Sequence, residues 1–276
     1  MNKLSTERRV AVVRCLIEGN SIRSTVRITG VAKNTVTKLL VDLGFVCSAY
    51  QDKVLRNLKS KRVQCDEIWS FVGCKEKNVP EEKVNDFTIG DIWTWTALDP
   101  DTKLMLSWWV GRRDVDSAYT FMQDVATRLA NRVQLTTDGH RAYLNAVRDT
   151  FGDDIDYAML VKLYGNDPKG ERTYSPNACI GAKKVTIKGA PDERHVSTSY
   201  VERFNLTMRM NMRRFTRLTN AFSKKLENHA CAISLHFMYY NFGRVHQTLK
   251  TTPAVKAGVT DHVWSLEEIV GLLDSN

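Results

Sequence analysis

Through residues 5–44, apolar side chains recur at three- and four-residue intervals, the period of helices buried along one face. Ser5 caps a first helix to about Glu18, with Val12, Val13, Leu16 and Ile17 inward, and Gly19-Asn20 ends it. Ser21 caps a short second helix to about Ile28. Gly30, in the turn Thr29-Gly30-Val31, stands where a positive φ is wanted. A third helix runs from about Lys33 to Leu43, inward through Val36, Leu39 and Leu40. Three helices with a tight turn before the last predict a helix-turn-helix.

From Val63 the period drops to two. Residues 63–72, 92–98 and 104–110 read as the strands of an antiparallel meander, with a charged loop over 76–91 and a turn at Asp99-Pro100-Asp101-Thr102. Asp116 caps a helix with Ala118, Phe121, Met122, Val125 and Leu129 on one face, ended by Asn131. A short strand over 133–137 stops at Asp138-Gly139, a helix spans 140–151, and a fifth strand spans 157–163. Residues 164–198, rich in Gly, Pro and Lys, read as an insertion that is strand-like only at 184–188. A helix opens behind Ser197, Thr198 and Ser199, another covers 223–240, a polar turn holds 241–250, and Ser265 caps a short last helix. Strands and helices in this order predict an α/β domain of RNase H-like type. It would have a mixed five-stranded sheet with flanking helices, behind a small all-α unit. The expected division is 1–45 for the helix-turn-helix, 46–62 for a basic linker, 63–258 for the α/β domain and 259–276 for a C-terminal helix and tail.

Charge sharpens the picture. Residues 1–62 hold 13 Lys/Arg against 4 Asp/Glu, while the rest hold 27 of each, so the net +9 comes entirely from the N-terminal part. That is the footprint of a nucleic-acid-binding unit. Lys33, Asn34, Thr35, Thr37 and Lys38, outward on the third helix, are types that reach base edges and phosphates. A solvated three-helix core or a protein-docking module is the alternative. The longest apolar run, 104–110, is too short to span a membrane, and Arg8, Arg9, Arg14 and Glu18 interrupt any leader. The expected location is cytoplasmic and nucleoid-associated. Six cysteines without a C-x-x-C spacing predict free thiols and no zinc, and no phosphate-binding Gly-rich loop calls for a nucleotide.

Three carboxylates stand out. Asp66 lies in mid-strand, where a charge is costly without a task. Asp138 lies just past the C-terminal end of the fourth strand, the rim where α/β sheets carry their chemistry. Glu202 opens a helix followed by seven basic residues and no acid between Arg203 and Lys225. Taken singly they could be an edge Asp, an Asp-Gly turn and a capping Glu. Taken together they are hard oxygen ligands for Mg²⁺ or Mn²⁺, with two ions able to serve an in-line phosphoryl displacement. Asn205, Arg209 and Arg213 follow Glu202 on one helix face, and Arg203, Arg209, Arg213 and Arg214 are candidates for phosphate contact. Glu67 should point to the opposite strand face from Asp66, so it is not counted as a ligand. His140 and His195 could orient water or touch phosphate, or simply be structural. Trp69, Trp93, Trp95, Trp108 and Trp109 should build the sheet core, with room for one exposed ring to stack on a flipped base.

Four blocks carry a resemblance: Cys-Asp66-Glu-Ile-Trp-Ser-Phe-Val-Gly, Thr-Thr-Asp138-Gly-His, Ser-Tyr-Val-Glu202-Arg-Phe-Asn-Leu-Thr-Met-Arg, and Tyr-Tyr-Asn-Phe-Gly-Arg-Val-His-Gln-Thr-Leu followed by Thr-Pro. Over about residues 60–258 the chain resembles bacterial insertion-sequence DDE transposases, most of all the insertion-sequence-one group, in the RNase H-like and retroviral-integrase superfamily. The resemblance implies Asp66, Asp138 and Glu202 as a divalent-metal triad. It also implies cleavage and strand transfer at terminal inverted repeats, and a homodimer or higher oligomer that pairs two DNA ends. A catalytically silent DNA-binding regulator and a simple metal-dependent nuclease of the same fold are the alternatives.

Overall fold

The computed structural model describes residues 4–165, 179–216 and 219–274. Its centre is β1 (Arg62–Val72), whose run of β-branched and aromatic residues is buried at most positions. β2 (Gly90–Leu98) pairs with it antiparallel and β3 (Met105–Gly111) pairs antiparallel with β2. β4 (Gln134–Asp138) lies parallel on the other side of β1, and β5 (Asp156–Tyr164) lies parallel to β4.

The fold is a mixed α/β one, but the sheet has six strands where the sequence predicts five, in the order β3-β2-β1-β4-β5-β6. The sixth, β6 (Cys179–Lys188), pairs antiparallel with β5 and comes from the expected insertion, of which residues 166–178 lie outside the described residues. β6 is an exposed edge, so it has no buried face to impose an apolar alternation; its lysines also suit an edge that must not recruit another strand.

Helices cover both faces. α4 (Val115–Arg128) and α5 (Ala142–Phe151) bury Phe121, Met122, Val125, Ala146 and Val147 in one core with Trp95, Leu106 and Leu135. α4 is capped by Asp114, which accepts from Ser117 N at 2.8 Å, and not by Asp116, which falls in its first turn. On the other face α6 (Ser199–Asn211) and α7 (Leu226–Met238) pack Val201, Phe204, Met208, Ile233 and Phe237 against Ile68, Leu98 and Met105. α7 begins after the expected Ser223, because that hydroxyl is spent inside: it bonds His229 Nδ1 at 2.8 Å, while His229 Nε2 meets Ser70 of β1 at 3.1 Å. Behind α7, Asn241 bonds both the N–H and the carbonyl of Met105, at 3.0 and 2.9 Å, and so closes the β3 edge.

α1 (Thr6–Ile17), α2 (Ile22–Thr29) and α3 (Lys33–Val54) stand where the pattern puts three helices, with Gly30 at φ 66° between the last two. α3 does not stop at Leu43 but runs on to Val54, through the first part of the expected linker. Leu43, Cys47 and Gln51, four apart, face α7, and Gln51 Nε2 donates to Ser234 O at 3.2 Å. Two short C-terminal helices follow, α8 (Pro253–Lys256) and α9 (Leu266–Gly271), and α9 buries Ile269 and Val270 in the same core as α1. No helix among the described residues is long and apolar enough to cross a membrane.

Candidate active site

The site lies where two parallel strands part. The β1–β4 ladder runs only from Arg62↔Gln134 to Gln64↔Thr136. Beyond it Asp66 pairs with Thr96 of β2 and Asp138 with Leu160 of β5, so the two acids stand at the mouth of the split. Connections from β1 run toward β2 and those from β4 toward β5, so this is the crevice where an α/β sheet binds its ligand.

Asp66 Oδ2 accepts from Asn205 Nδ2 at 2.9 Å, so α6 orients the β1 carboxylate directly. Asp138 Oδ1 accepts from the N–H of His140 at 2.9 Å. Glu202, one turn ahead of Asn205, accepts from Lys162 Nζ at 2.6 Å and from the Thr198 hydroxyl. Its charge reaches Asp66 and helps to raise the latter's pKa. Of the three sequence-predicted acids, Asp66 and Asp138 are thus brought together, while Glu202 stands outside their close cluster, paired with Lys162 and near enough for its charge to act on Asp66.

A fourth acid joins them. Oxygens of Asp66, Glu67 and Asp138 all lie within 4.8 Å of one another, although strand alternation sets Glu67 on the other face. Where the ladder ends no backbone pairing fills the gap between the strands, and the longer Glu side chain reaches Asp138 through it. Arg113, in the loop between β3 and α4, donates to Glu67 Oε2 at 3.1 Å and comes within 3.5 Å of Asp138 Oδ2. Glu67 Oε1 is buried without a partner; Tyr143 approaches and favours its charge but closes no hydrogen bond of ordinary geometry. Sequence reasoning missed Lys162 and Arg113 as well. A lysine inside a strand was the available signal for the first, and the second had none.

Burial, then Asp138, then Glu202 push the Asp66 carboxyl up to about 7. Burial and Asp138 push Glu67 up to about 8. Such a cluster of hard oxygens could hold a divalent cation. A stability prediction follows from the sign. Both pKa values are raised, so between about pH 4 and 8 the folded chain keeps protons that the unfolded chain has released, and stability falls as pH rises. In chelator, denaturant midpoints should decline across that window. They should decline less in Asp66→Asn/Glu67→Gln, and Mg²⁺ should recover the loss at pH 8. Equal slopes in the two proteins would refute the assignment.

The candidate DNA contacts divide. Lys33, Asn34, Thr35 and Lys38 are exposed at the start of α3, Thr37 is half-buried and bonds Lys33 O, and Lys38 pairs with Asp42 at 2.6 Å. Arg203 is exposed on α6. α6 ends at Asn211, because Met212 turns extended, so Arg213 does not continue the face of Asn205 and Arg209, though it is exposed. Arg209 is half-buried and donates to Phe215 O at 3.4 Å. Arg214 turns inward to Ser223 at 2.8 Å, and burial pulls its pKa down to about 10. Residues 217–218 of the acid-free run lie outside the described residues. His195 sits beside Arg62, with Asp192 3.9 Å away, and His140 turns its ring toward Trp95, 5.8 Å between centroids.

No family model matches the chain, and no curated protein matches it. Among solved structures it is similar to a piggyBac transposase, determined by cryo-electron microscopy as a synaptic complex with hairpin DNA. The identity is 11% and the TM-score 0.41, over 100% of this chain and 71% of that one. Likeness at that level leaves the function to the geometry of the site.

Proposed function

We propose that the chain is a DDE-type transposase that binds terminal inverted repeats in double-stranded DNA, cleaves a strand and transfers the freed 3′-hydroxyl to target DNA. The observation that carries this reading is the approach of the Asp66 and Asp138 carboxylates at the split between β1 and β4, with Glu202 on the helix whose Asn205 bonds Asp66. The order β3-β2-β1-β4-β5, with β4 and β5 parallel to β1, supports an RNase H-like core to which β6 is added.

Asp66, Asp138 and Glu202 would hold Mg²⁺ or Mn²⁺, as two ions, and the Glu67 carboxylate lies close to those of Asp66 and Asp138. The all-oxygen donor set and the buried, unsatisfied Glu67 Oε1 suit such hard cations. Bound there, the ions supply activation of an attacking hydroxyl and stabilisation of a leaving oxygen. The chain's own groups prepare the place. Asn205 fixes Asp66, the His140 N–H fixes Asp138, and Thr198 fixes Glu202. Lys162 and Arg113 balance the acids and stand ready for phosphate oxygens. α1–α3 would supply end recognition through Lys33, Asn34, Thr35 and Lys38, and a homodimer or higher oligomer would pair two ends.

Incubation with Mg²⁺ and a DNA fragment ending in the inverted repeat beside the gene tests this. Joined products support it, cutting without joining means a nuclease, and binding alone means a regulator. Replacing exposed Arg203 and Arg213 together with Ala should weaken DNA binding and reduce the slope of log affinity against log salt by about 2. An unchanged slope would remove both from the interface.

A further inference from the structure

Past Glu67, the same face of the sheet carries a row of rings that the carboxylate site does not use. Glu67, Trp69 and Phe71 alternate along β1, and Trp93 stands opposite Trp69 across the β1–β2 ladder. Phe71 continues the row to Phe222, whose ring is 4.7 Å away, next to the bridge between Val72 and Ser223. These four rings are partly exposed, unlike Trp95 on the same face, which is sealed against Phe121 and Tyr143. Cations sit over three of them: Arg113 over Trp93 at 4.9 Å, Lys75 over Trp69 at 6.0 Å and Lys224 over Phe222 at 3.1 Å. Beside Trp93 opens a cavity of about 410 Å³, bounded also by Phe87, Arg112 and Arg113, with Glu76 and Asp91 on its wall.

A core would close over such rings and would not place ammonium groups on them. Partly exposed rings with cations resting on them are what an unpaired nucleic-acid strand uses: bases can displace the flexible cations and stack on the rings whatever their sequence, and the cations follow the phosphates. Paired bases are already stacked within the duplex, so intact double-stranded DNA has no use for the rings. Arg113 connects this shelf to the chemistry, since it lies on Trp93 and bridges Glu67 and Asp138. A strand leaving the carboxylates along β1 would cross the rings in order. The cavity wall carries both signs, with Glu76 paired to Arg112 at 2.6 Å, so it offers donors and acceptors to a base edge.

We propose that Trp93, Trp69, Phe71 and Phe222 form a stacking shelf for unpaired bases of the DNA strand next to the scissile phosphate. The proposal rests on the reading above for the strand's identity, and its test is independent of cleavage. The full chain, in chelator, is titrated into a fluorescent duplex bearing a short unpaired tail and into the same duplex fully paired. Trp69→Leu and Phe222→Leu should each weaken the tailed DNA by roughly tenfold and leave the paired duplex unchanged. Lys75→Glu and Lys224→Glu, on exposed side chains, should also weaken the tailed DNA selectively. Equal effects on both DNAs, or none, would overturn the shelf. So would a change from dimer to monomer in sedimentation with tail binding intact, which would make the face a contact between copies. Ring-dependent tail binding without any cutting in Mg²⁺ would sink the cleavage reading alone; joining of ends by ring variants that bind tails normally would sink the shelf alone.

Discussion

Asp138→Asn is expected to lower strand cleavage and strand transfer by on the order of 10³-fold while DNA affinity measured in chelator stays at the wild-type level. Asn keeps the shape and can still accept the N–H of His140, so the turn after β4 should survive. What it removes is a charge near both Asp66 and Glu67, the one that, after burial, does most to raise the pKa of each. The variant therefore carries a second signature independent of activity. With Asp138 neutral, Asp66 and Glu67 should ionise at lower pH, and the fall in stability with pH should end sooner. Joining of ends at the normal rate would sink the site as drawn. Lost activity with an unaltered pH profile would show that Asp138 is not coupled to the other acids.

Asp66 and Asp138 were legible because of where each stands: a charge in the middle of a buried strand, and a carboxylate where a short strand stops at an Asp-Gly turn. Glu202 was legible as the acid at the head of a basic helix, and Asn205 as its neighbour on the same face. Glu67 lies on the face that alternation assigns it, and what was missed is that its carboxylate still comes close to Asp66 and Asp138. Alternation assigns faces, but it does not say that the ladder stops at Gln64↔Thr136 and leaves a gap. Lys162 and Arg113 come from β5 and from a loop, and their approach depends on tertiary geometry that no spacing encodes. The arginine row failed for a simpler reason. Offsets of three and four presume one helix, and α6 ends before Arg213, so Arg214 turns to Ser223. β6 escaped because an exposed edge strand has no apolar face to display, and α3 was cut short at a glycine.

That glycine carries the largest expected effect on stability. Gly44 lies in mid-helix, where Ala would ordinarily gain about 1 kcal/mol of helix propensity. A Cβ there would stand 2.4 Å from Cys231 Cβ, 2.6 Å from Cys231 Cα and 2.7 Å from its carbonyl oxygen. Gly44 is therefore the point where α3 and α7 touch backbone to backbone, and Ser234 Oγ donates to Gly44 O at 2.9 Å across the same contact. Gly44→Ala must push the helices apart and strip Gln51 from Ser234 as well, so it is expected to destabilise the fold by about 3 kcal/mol, read as a lower denaturant midpoint. Cys231→Gly should not rescue it, because two of the three clashing atoms are backbone. If Gly44→Ala raised the midpoint, helix propensity would have won and the α3–α7 contact could not be as close as described. Since α3 also presents Lys33, Asn34, Thr35 and Lys38, loosening this contact should weaken end binding along with stability, though no DNA-facing residue has been touched.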